Sequence, residues 1–166
     1  MKSIVSLFLV MLTCQVFATS TMKNKMNSMS PSQMDDLIRG EMSAVKTYSQ
    51  VLEKVTDKNE KAKLEMIRRD HENAVSKLKQ YATDEVKEDT EGTGGWGAFT
   101  KAWTGGAKLF GNKTALRALS QGEEHGLKEY REALEDKNIN TDLKTTIKTE
   151  LLPKQEQHLK TIKTFM

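Results

Sequence analysis

The chain has 166 residues, 37% hydrophobic and 30% charged, and its 10 glycines and 2 prolines argue against a disordered or fibrous chain and for one domain with a modest core. A formal net charge of only +3, with basic and acidic residues interleaved, argues against an electrostatically driven nucleic-acid binder, and no nucleic-acid partner is expected. One cysteine, Cys14, excludes an internal disulfide.

Residues 1–18 have the pattern of an export signal: Lys2 supplies a positive start, residues 4–12 are apolar, and Val16-Phe17-Ala18 offers small or neutral residues where a signal peptidase reads. Cleavage after Ala18 is expected, with the mature chain exported and, in a bacterium with two membranes, periplasmic. The apolar run is shorter than the roughly 20 residues a bilayer needs, so no transmembrane helix is expected in the mature chain. Cys14 would leave with the signal; lipidation of Cys14 is the rival reading, disfavoured by Thr13 before it. Residues 19–32 lack apolar periodicity and read as a flexible linker, whose methionines are read as linker residues rather than a Cu(I) site.

The domain expected over 33–166 is all-α. Ser30, Pro31 and Gln33 form a helix start, and Met34, Ile38, Glu41, Val45, Tyr48, Leu52 and Val55 recur at alternating steps of four and three, one inward stripe with a carboxylate in it. Residues 56–59, Thr56-Asp57-Lys58-Asn59, form a turn or a new helix cap, and a second stripe runs Leu64, Ile67, His71, Ala74, Leu78, Tyr81. Residues 84–114, rich in glycine, are long enough for a crossover along the bundle. Trp96, Phe99 and Trp103 share one face there, either as a lid against the bundle or as a patch for a protein partner or a second copy. The third stripe is Leu116, Leu119, Glu123, Gly126, Tyr130, Ala133; the fourth, capped near Asn140, is Leu143, Ile147, Leu151, His158, Ile162, Phe165. Pro153 predicts a kink or bulge before His158.

Residues 40–53 and 122–135 share the pattern G-E-x-x-[small]-[aliphatic]-K-x-Y-x-x-[A/V]-L-E at one constant offset, so the bundle reads as a duplicated helical hairpin. Glu41, His71, Glu123 and His158 all face inward, and a buried carboxylate must be paired, metal-bound or neutralised. Tyr48 and Tyr130 read as core residues whose hydroxyls reach that polar layer, and His125 as a surface neighbour.

The G-E-x-x-A-x-x-x-Y and G-E-E-H-x-x-x-x-Y segments resemble helices of rubrerythrin and other ferritin-like proteins. Over about residues 34–165, including Gly-Trp-Gly-Ala-Phe and Thr-Gly-Gly, the chain is similar to a bacterial ferritin-like four-helix-bundle family of unknown function. The resemblance implies a ferritin-like bundle in which Glu41 and Glu123 match the single glutamates of a di-iron site and His71 and His158 its histidines. Arg68 and Gln155 stand where its two Glu-x-x-His carboxylates belong, and Asp70 and Glu156 lie on other faces. The histidines are also 87 apart against 82 for the glutamates, which predicts His158 about one helical turn out of layer.

Two readings follow. Either Arg68 is the countercharge for Glu41 and Glu123, with Gln155 and the histidines completing a polar core, or Glu41, His71, Glu123 and His158 bind one Zn or Fe ion. The expected function is that of an exported, ferritin-like accessory or stress-related protein without a complete di-iron site, with no catalytic residue assigned. The alternative is a metal-binding protein retaining oxidase or peroxidase chemistry.

Overall fold

The computed structural model describes residues 29–83 and 112–166, which form four helices and, among the described residues, no strand. Helix α1 (Pro31–Leu52) starts as the sequence dictates: Pro31 needs no hydrogen-bond acceptor, and the Ser30 hydroxyl accepts the Gln33 N–H at 3.2 Å. Asp57 opens α2 (Lys58–Lys79) by accepting the Glu60 N–H at 2.8 Å. After α3 (Asn112–Glu135), Asn140 caps the last helix through the Asp142 and Leu143 N–H groups. That rod, α4, runs Thr141–Thr146, then a π-helical turn Ile147–Leu151, then Leu152–Lys163.

The π turn is the bulge Pro153 predicts. Proline cannot donate to Thr149, and the Leu152 N–H reaches back five residues to the Ile147 carbonyl. It also aims the helix. Leu143, Ile147, Leu151 and Gln155 are all buried at steps of four, which in a regular helix at about 100° per residue would drift roughly 120° off the seam. The wider turn absorbs the surplus residue and keeps Gln155 and His158 facing inward.

The core is two apolar clusters separated by a polar layer. One gathers the start of α1 (Leu37, Ile38), the end of α2 (Ala74, Leu78) and the start of α4 (Leu143, Ile147); the other gathers the end of α1 (Tyr48, Val51), the start of α2 (Leu64, Ile67), the start of α3 (Leu116, Leu119) and Ile162. Successive helices in each hairpin are therefore antiparallel, α1 runs antiparallel to α3, and α2 ends in one cluster while α3 begins in the other. Met29, assigned to the linker by sequence, packs in the first cluster. The inward face of α1 is wider than its predicted stripe, since Arg39, Gly40, Ser43 and Thr47 are buried and Val45 only half-buried. Among the described residues, no helix is long and apolar enough to cross a membrane. The segments expected to form the export signal with Cys14, most of the linker, and the aromatic crossover with Trp96, Phe99 and Trp103 lie outside the described residues.

Candidate functional site

Glu41, His71, Glu123, Gln155 and His158 are all buried between the two apolar clusters, one or two from each helix. His71 is the hub. It donates Nδ1–H to Glu41 Oε2 at 2.7 Å and Nε2–H to Glu123 Oε1 at 3.1 Å. Both partners are acceptors, so the ring must carry both protons as imidazolium. Each carboxylate also receives a phenol: Tyr130 O–H donates to Glu41 Oε1 at 2.5 Å, and Tyr48 O–H donates to Glu123 Oε1. The result is an unbroken hydrogen-bonded chain from Tyr130 through Glu41, His71 and Glu123 to Tyr48.

Electrostatics agree with that protonation. Burial alone would push the His71 pKa down, but Glu41 and then Glu123 outweigh it and hold it at about 10. Burial would likewise raise Glu123, yet the neighbouring His71 charge, first among the groups that oppose it, holds it down to about 2. Burial, reinforced by the neighbouring carboxylates, drives the Tyr48 and Tyr130 hydroxyls well above their ordinary value, so both stay protonated donors.

His158 sits beside this hub, its ring centroid 5.1 Å from that of His71. Its Nε2–H donates to Asp70 Oδ2 at 3.3 Å, and its Nδ1 lies 3.6 Å from Glu123 Oε2. Neither His158 Nδ1 nor Glu123 Oε2, both buried, has a hydrogen-bond partner. With the proton on Nε2, the ring turns a lone pair toward a carboxylate oxygen, an arrangement that a cation between them would satisfy.

Three expectations change. Arg68 is not the countercharge of the layer: it pairs with Glu72 one turn on along α2, partly exposed, where its charge keeps its hydration, and His71 takes the role assigned to it. His158 is not out of reach, because it meets Glu123 and His71; it lacks only Glu41. Asp70, placed by periodicity on another face, reaches His158 from the rim. Glu156 stays exposed, 3.1 Å from Arg131, and the exposed His125 lies 3.3 Å from Glu129. Gln155 lies buried against Gly126 and turns its amide toward the Glu123 backbone carbonyl at 3.5 Å.

The donor set that converges is His71, Glu123 and His158, with ligand atoms all within 4.8 Å of one another. Glu41 is not in it; it backs His71 from behind as Asp70 backs His158. Carboxylates behind both histidines are what a metal-binding imidazole uses to fix its tautomer. Two imidazoles and one carboxylate suit Zn or Fe(II), once the His71 Nε2 proton is released. On the α1–α3 side, Leu37, Ala44 and Leu119 wall a cavity of about 20 Å³, room for one water, whose floor includes Glu41, His71 and Glu123.

Residues 30–136 match the family described as Domain of unknown function (DUF2383). The chain belongs to that family. The matched segment carries the whole chain of Tyr130, Glu41, His71, Glu123 and Tyr48, whereas Gln155 and His158 lie beyond it on α4. No curated protein and no solved structure matches the chain.

Proposed function

We propose that this is an exported, ferritin-like bundle whose polar layer binds one divalent ion, Zn or Fe, through His71 Nε2, Glu123 and His158 Nδ1, in an accessory or stress-related role. The observation that carries the reading is a pair of buried atoms without a hydrogen bond, His158 Nδ1 and Glu123 Oε2, facing each other 3.6 Å apart beside His71. The antiparallel hairpins, with α2 ending and α3 beginning at opposite ends of the bundle, support the ferritin-like likeness. A di-iron centre is not proposed, because Arg68 faces outward and Gln155 offers a neutral amide. Bound there, the ion would supply Lewis acidity within the polar layer. The chain's own residues do the rest: Glu41 and Asp70 orient the two imidazoles, and Tyr48 holds Glu123 by its hydroxyl.

A second reading rests on the two carboxylates His71 already bridges: the layer is a purely structural salt bridge that fixes helix register. Anaerobic loading with Zn(II) or Fe(II), followed by metal analysis and melting with and without chelator, separates the two. The metal reading expects one ion per chain and a stabilisation of about 2.7 kcal/mol at a hundredfold excess over Kd, both lost in His158→Ala. No stoichiometric ion and an unchanged melting temperature would leave the salt bridge alone.

A further inference from the structure

The proposed ion site has two sides. Toward α1 and α3, the site borders a cavity lined by Leu37, Ala44 and Leu119, where the Tyr48 and Tyr130 phenols hydrogen-bond the Glu123 and Glu41 carboxylates. Toward α2 and α4, the layer reaches solvent through side chains of rising exposure: His158 at 6%, Asp70 at 23% and Lys154 at 48%. Asp70 divides its carboxylate between the two neighbours, one oxygen taking the His158 Nε2–H and the other the Lys154 ammonium. Of the described carboxylates that touch His71, Glu123 or His158, Asp70 is the one that also meets solvent.

We propose that Asp70 is the carboxylate that draws a divalent cation toward the buried site from the α2–α4 side, and that Lys154 is the charge latch that regulates its approach. The inference rests on the metal reading above and adds a route and a control to it. A cation arriving from water is attracted by the first carboxylate it meets, and Lys154 both cancels that field and occupies one oxygen. The latch opens readily, since a lysine on a flexible stem in a half-exposed pair is held only weakly. Lys77, paired with Glu150 farther along the same α2–α4 seam, has the same charge without touching a histidine or its carboxylate, and is the internal control.

Stopped-flow mixing of the apo full chain with Co(II), read by its visible absorption, tests this. Lys154→Met, which keeps the apolar stem, should bind the same one ion per chain and raise the association rate about 3- to 10-fold at low ionic strength, with the gain fading in high salt. Lys77→Met should leave the rate unchanged, and Asp70→Asn should slow it. If wild type binds Co(II) but Lys154→Met associates no faster, or Lys77→Met accelerates it equally, the latch is wrong and the ion site stands. If wild type takes up no Co(II), both fall.

Discussion

Tyr130 on α3 donates its phenolic hydrogen to Glu41 on α1 at 2.5 Å, and the same relation holds with the helices exchanged, Tyr48 on α1 donating to Glu123 on α3. The repeated Gly-Glu-to-Tyr motif thus becomes a reciprocal clamp between the two hairpins: each copy supplies the carboxylate that the other's tyrosine satisfies. Removing one hydroxyl leaves a buried carboxylate oxygen short of a donor. Tyr130→Phe and Tyr48→Phe should each cost about 1 to 3 kcal/mol, read as a lower urea midpoint with an unchanged m value.

His71→Ala should be far more damaging than Arg68→Ala. The first removes the cation from between two buried carboxylates, at about 3 to 5 kcal/mol. The second breaks only a partly exposed pair with Glu72 and should cost no more than about 1 kcal/mol. Equal losses in urea unfolding would restore Arg68 to the layer.

Stability of the metal-free protein should fall on both sides of a mildly acidic optimum. His71 is held at about 10 against an ordinary 6.5, so its contribution is complete below pH 6.5 and is lost as the pH rises toward 10. Glu123, held at about 2 against an ordinary 4.5, contributes fully above pH 4.5 and loses that contribution as the pH falls toward 2. Urea midpoints across this range should show both limbs, and His71→Gln should lose the alkaline one.

Gly126 gives the Gln155 amide its room: a Cβ at that position would lie 2.5 Å from Gln155 Nε2. Alanine there gains about 1 kcal/mol of helix propensity but pushes Gln155 off the Glu123 carbonyl. A double-mutant cycle of Gly126→Ala with Gln155→Ala should therefore show coupling of about 0.5 to 3 kcal/mol, the alanine being better tolerated once the amide is gone.

The helices were legible because their determinants are local. Caps at Ser30, Asp57 and Asn140 place the starts of α1, α2 and α4, and the three-and-four spacing of apolar residues sets which side chains turn inward, including Glu41, His71, Glu123 and His158. Pro153 likewise announced the distortion in α4, because a missing N–H is a property of the residue itself.

Partnership was not legible, because periodicity fixes a side chain's angle about its own helix but not its height against the next one or the reach of a long side chain. Arg68 is one turn from His71, and only the assembled bundle shows it turning out to Glu72 while His71 inherits both carboxylates. Despite the five-residue excess in spacing, His158 meets Glu123 and Asp70, helped by the π turn that re-aims α4. By itself the sequence determined a duplicated helical hairpin with ionisable groups in its core. The tertiary structure decided which charges meet, since that depends on stagger and rotation between helices that no single helix encodes.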